Sequence, residues 1–199
     1  MKKRFDMIKF VELAILLAIV VVFQLVLGSV RVGPTSFSVV LIPIVIGALL
    51  LGPLYGAILG LAFGLITLFA GIFGTDGFTA FLFQYSPIGT SVICIAKATL
   101  AGLVPGYLYK LLKKKNEWLA VILAAISAPI VNTGLFIIGS LVFVKPAIEA
   151  YLIKVDISAD AIYFLFILCA GINFLVEFAV NAVMSPVIFR VIRLFRKEK

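Results

Sequence analysis

The sequence predicts an all-α membrane protein of six transmembrane helices with its amino and carboxyl termini both cytoplasmic, and three observations carry that prediction. Of its 199 residues, 64% are hydrophobic and only 13% charged, and the mean hydropathy is +1.27, far from the balance of a soluble domain. Apolar runs recur at close to the roughly 20 residues that a helix needs to cross the hydrocarbon. The basic residues gather at the ends of those runs: Lys2, Lys3, Arg4 and Lys9; Lys110 and Lys113 to Lys115; Arg190, Arg193, Arg196, Lys197 and Lys199. Such clusters mark cytoplasmic ends.

The expected spans are about 8–28, 38–53, 56–73, 88–111, 118–143 and 161–189, within a single membrane domain over 1–199. In the first, KKR precedes an apolar run longer than a signal peptide's and without a small-x-small cleavage site, so it reads as a retained span. Gly52 and Pro53 in LLGPLYG make a tight inner turn between the second and third. KKKNE turns the fourth into the fifth on the inside, and the sixth returns RVIRLFRKEK to the same side. That leaves SVRVGPTS, GTDGFTAFLFQYSPIG and KPAIEAYLIKVDISAD as outer loops, with Arg31, Lys145 and Lys154 as their basic residues. Long loops of mixed composition are often functional lids, which makes the outer side the expected ligand face.

Several function classes fall away. The net charge of +8 suggests nucleic acid, yet a chain embedded in lipid has no basic groove to offer it. Cys94 and Cys169 each lie inside an apolar run and have neither disulfide nor zinc spacing. With no histidine in the chain, the commonest metal ligand and acid/base group is missing, and no metal or catalytic residue is assigned. There is no G-x-x-x-x-G-K-[ST] phosphate loop, so ATP-driven work requires a partner. Inverted repeats like those of many secondary transporters are not evident.

Polar groups inside hydrocarbon are costly and face a bundle interior, a partner or a wet cavity. Lys97 lies in ICIAKATLAG, and Asn132 and Thr133 in SAPIVNTGLF. NFLVEFAVN spaces Asn173, Glu177 and Asn181 at intervals of four, on one stripe of a helix. Pro129 is expected to distort the fifth span one turn before Asn132. One reading makes Lys97 and Glu177 an internal ion pair and the asparagines links between helices. The other makes Lys97, Asn132, Thr133, Asn173 and Glu177 ligand contacts, with Asn181 kept as a packing residue.

Small residues form a second pattern. Gly56, Gly60 and Gly64 in GAILGLAFG form a ridge along which helix backbones approach closely, and packing within the bundle is the preferred reading. Ala14 and Ala18 repeat that spacing in LAILLAIVV on the first span.

In their order, Ala14-x-x-x-Ala18, GPLYGAILGLAFG and APIVNTGLF on six expected spans resemble the substrate-binding S component of energy-coupling factor (ECF) vitamin transporters over nearly the whole chain. The resemblance implies the six-helix S-component fold in a bacterial plasma membrane. It implies docking through Ala14 and Ala18 to a membrane T component that is joined to two cytoplasmic ATPases. It implies a vitamin held beneath the outer loops and delivered inward when the loaded subunit topples on docking. No cofactor is expected on this chain, since ATP is used by the partner ATPases.

Within that resemblance the subgroup of pantothenate carriers comes first, with pyridoxine or hydroxymethylpyrimidine carriers beside it and riboflavin as a further alternative. Lys97 or Arg31 would then meet the pantothenate carboxylate, and Asn132, Thr133, Asn173 and Gln84 its amide and hydroxyls. An aromatic vitamin would stack on Tyr85 or the outer phenylalanines. Two other classes stand against a carrier: a membrane enzyme, which needs a carboxylate or histidine constellation, and a structural membrane protein without a ligand.

Overall fold

In lipid the backbone has no hydrogen-bond partner but itself, so long runs of Leu, Ile, Val, Phe and Ala fold into helices. The computed structural model describes residues 2–27, 31–32, 35–36 and 39–197, with side-chain surroundings for 7–26 and 39–195. Helix α1 covers Lys2–Leu27 and is followed by two short strands, β1 (Arg31–Val32) and β2 (Thr35–Ser36), paired antiparallel with Arg31 opposite Ser36. Next come α2 (Leu41–Leu50), α3 (Pro53–Ile72), α4 (Gly77–Tyr85), α5 (Pro87–Leu112), α6 (Glu117–Phe143) and α7 (Lys145–Lys154). The last span begins as α8 (Ala161–Tyr163), passes through a π-helical segment (Phe164–Cys169) and continues as α9 (Gly171–Lys197).

Among the described residues, five helical stretches are long and apolar enough to cross a membrane: Met7–Val26, Pro53–Ile72, Pro87–Leu112, Glu117–Phe143 and Ala161–Phe195. The expected second span, 38–53, holds the shorter helix α2, whose ten residues rise about 15 Å. Gly52, with φ of 120°, turns the backbone at one end of it, and Pro53 opens α3 directly afterwards. Leu41 to Val45 and Gly47 to Leu49 are buried, and α2 packs on α1, α3, α5, α6 and α9. It is apolar all round because protein surrounds it.

The two largest helix contacts are α3 with α5 and α5 with α6, and α9 closes on α6. The glycine ridge lies in the first of these. A Cβ on Gly60 would strike the carbonyl oxygen of Ala98, and one on Gly102 the carbonyl oxygen of Gly56. The two backbones touch where side chains would hold them apart, as small-residue spacing allows in membranes.

Two segments expected as outer loops contain helices. Phe78 and Leu82 of α4 and Ala147, Ile148 and Leu152 of α7 bury against Phe164 and Leu165, forming an apolar cluster distinct from the larger one built on α2. The last span is also not a uniform α-helix. Ala170 N–H donates to the Leu165 carbonyl at 2.9 Å, five residues back. Such π segments are uncommon and recur at functional sites.

Candidate functional site

Three elements converge just past the π-helical segment. Helix α5 contributes Lys97, α6 contributes Asn132, Thr133 and Phe136, and the last span contributes Cys169, Ala170, Asn173, Phe174 and Glu177. The cavity between them has a volume of about 70 Å³, small beside the roughly 300 Å³ at which drug-sized pockets begin. Asn132, Asn173 and Glu177 are each more than nine-tenths buried.

The chemistry is mixed in sign. Lys97 is the one cation among the lining residues, and its ammonium stands 5.3 Å from the Phe136 ring centroid and 5.9 Å from that of Phe63. Aromatic faces hold an ammonium while leaving its charge intact. Asn173 donates through Nδ2 to the Cys169 carbonyl at 3.1 Å, at the end of the π-helical segment. Asn132 Oδ1 is buried and accepts no hydrogen bond from the described residues, an arrangement that costs free energy unless another donor arrives. The cavity thus offers a cation, a carboxylic side chain, amides and two aromatic rings to a small polar molecule. Among the described residues, no three His, Cys, Asp or Glu side chains group as metal ligands would.

The profile of one protein family, described as ECF transporter, substrate-specific component, matches residues 9–189. The chain belongs to this family. It is an integral membrane protein of a transporter family that works with a T component and ATPases, and the family is not one of enzymes. Among curated proteins, none matches the sequence.

On this S component the remaining expected residues lie apart from the cavity. Gln84 and Tyr85 end α4 and are exposed, and neither lines it. The side chain of Arg31 lies outside the described residues. Ala14 and Ala18 are exposed on α1, while Leu16 and Val20 turn the opposite way into the core. Asn181 is buried and donates to the Glu177 carbonyl of its own helix at 2.8 Å. Helix α6 continues through Pro129.

Sequence reasoning missed Phe136, Phe174, Cys169 and Ala170. A signal was present, because Phe136 lies four residues after Asn132 and Cys169 four before Asn173, each on the same helical face as its asparagine. A second, larger cleft of about 900 Å³ opens between α6 and α9 near Trp118 and Arg190. Its nearest lining residue on α9, Pro186, is nine residues from Glu177, or about 13 Å by helical rise, and the two spaces share no lining residue.

Proposed function

We propose that this S component binds a small water-soluble vitamin in the cavity between α5, α6 and the last span, and that the vitamin is pantothenate. The observation that carries the reading is the approach of Lys97 to Asn132, Asn173 and Glu177 around one buried space. Pantothenate has one carboxylate, an amide and hydroxyls. Lys97 meets the carboxylate, Asn132 and Thr133 take the amide and a hydroxyl, and Asn173 and Glu177 take what remains. Binding requires the lining to part, since the space is smaller than the ligand. Gln84, Tyr85 and Arg31 contribute once the outer segments that carry them move over the cavity.

Phe136 and Phe174 in the lining favour a second reading, a pyridine or pyrimidine vitamin stacked between rings. Docking in either case uses the exposed Ala14 and Ala18, where a flat surface lets the T component's helices approach closely. We place both termini in the cytoplasm, because Lys110, Lys113 to Lys115, Arg190 and Arg193 belong to one basic end. The loaded subunit then topples on docking, and the two partner ATPases use ATP to reset the cycle.

Mass spectrometry of the small molecule that copurifies with the native protein tests the substrate. The mass of pantothenate is the expected result. The mass of a pyridine or pyrimidine vitamin replaces the first reading with the second, and conversion of an added vitamin to another compound rejects a carrier.

A further inference from the structure

We propose that the cleft between the first turn of α6 and the last third of α9 binds the phosphate headgroup of an anionic phospholipid, whose acyl chain lies along the apolar wall. This site is separate from the vitamin cavity and does not depend on it. Its floor is built by Trp118, Pro186, Phe189 and Leu194, with Arg190 and Arg193 beside them.

The arginines are arranged for an anion. Arg193 lies with its guanidinium 4.5 Å from the Phe189 ring centroid, and its Nε is 3.8 Å from Oε2 of Glu117. Oε1 of that glutamate accepts from the Tyr109 hydroxyl at 2.8 Å, so the acid is anchored and orients the guanidinium. A guanidinium carries five N–H donors in a fixed fork, and one carboxylate contact leaves others for phosphate. Arg190 precedes Arg193 by three residues, on the same helical face, and is exposed. Lys113, Lys114 and Lys115 form the turn that leads into α6 and are exposed too. Among the described residues where α5 ends, α6 begins and α9 nears its end, six basic side chains (Lys110, Lys113 to Lys115, Arg190 and Arg193) accompany the acid Glu117, a bias towards anions.

The walls select lipid over a soluble phosphate. Trp118 packs edge-on against Phe189 at 5.0 Å while 41% exposed, the placement of an interfacial tryptophan with one side in lipid. Leu119 beside Trp118, and Val183 and Val187 on either side of Pro186 in the sequence, are also exposed. A water-soluble anion leaves all of that surface uncovered, whereas a lipid covers it and presents its phosphate at the arginines. Basic pockets between membrane helices recognise headgroups in this way.

The test uses the full chain in nanodiscs that hold phosphatidylglycerol and phosphatidylcholine with the same acyl chains, followed by detergent extraction and native mass spectrometry of retained lipid. Phosphatidylglycerol is expected to be retained over phosphatidylcholine. Arg190→Gln and Arg193→Gln should each cut that preference about fivefold, and the double variant Lys113→Gln/Lys114→Gln, outside the cleft, by less than about twofold. Should Arg193→Gln fail to fold, Arg190→Gln alone decides, since that side chain is exposed. Equal retention of the two lipids, an equal loss in the lysine variant, or displacement of the lipid by soluble glycerol phosphate overturns the proposal.

Discussion

Lys97 on α5 holds its ammonium 5.3 Å from the centroid of the Phe136 ring on α6. The ring holds the side-chain end of Lys97 at the wall of the cavity that Glu177 also lines, where an anionic ligand group can reach it. Lys97→Ala should weaken a carboxylated vitamin by about 10- to 100-fold, the range for hydrogen bonds to charged groups. A neutral analogue should lose less than about threefold. Calorimetric titration of both ligands checks this, and equal losses would remove Lys97 as the anion partner.

Asn132 presents a buried carbonyl oxygen with no donor among the described residues. If a vitamin supplies that donor, Asn132→Ala should lower affinity about fivefold while leaving the ligand-free protein as stable as before or slightly more so. Asn173→Ala should lower affinity by a similar factor without affecting docking, and Asn181→Ala, which is outside the lining, should not change affinity. Melting curves with and without ligand separate these outcomes, and a loss of stability in the ligand-free Asn132 variant argues for a packing role.

Ala14 and Ala18 lie on the exposed side of α1. Ala14→Leu or Ala18→Leu should weaken capture of the T component by about tenfold, the scale of an overpacked contact. Vitamin affinity should be unchanged in the same preparations. Pull-down with the assembled T component and ATPases gives the first quantity, and titration gives the second.

Gly60 and Gly134 make opposite predictions from one substitution. A Cβ on Gly60 meets the Ala98 carbonyl, whereas nothing lies within 4 Å of a Cβ on Gly134. Gly60→Ala should destabilise by about 1–3 kcal/mol. Gly134→Ala should stabilise by about 0.4–1 kcal/mol. Thermal unfolding in detergent reads both, and a stable Gly60→Ala protein would mean that α3 and α5 can separate.

Hydropathy made α1, α3, α5 and α6 legible to within a few residues, because a lipid-facing helix announces itself by length alone. It missed the length of α2 (Leu41–Leu50), where the apolar run reflects enclosure by protein, and no count of apolar residues separates that from enclosure by lipid. It failed again at Phe164–Cys169, since a π and an α backbone bury the same residues and differ only in which carbonyl each N–H meets. The cavity was legible in its polar members: Lys97, Asn132, Thr133, Asn173 and Glu177 line one space because each had to avoid hydrocarbon. Gln84 and Tyr85 do not line that space, because polar character near an outer segment carries no such constraint. Phe78 and Leu82, four residues apart, already showed the buried face of α4 and hence the outward direction of its end.

Where α3 and α5 meet, the carbonyl of one helix occupies the space that a side chain would fill on the other. Sliding such a pair would drive oxygen into carbon, with no rotamer able to yield. The two helices therefore serve as a fixed spine, and whatever widens the cavity must come from α6, the last span or the outer helices. In a deuterium-exchange time course, the amides around Gly60 and Ala98 should label last, whether or not the transporter is turning over.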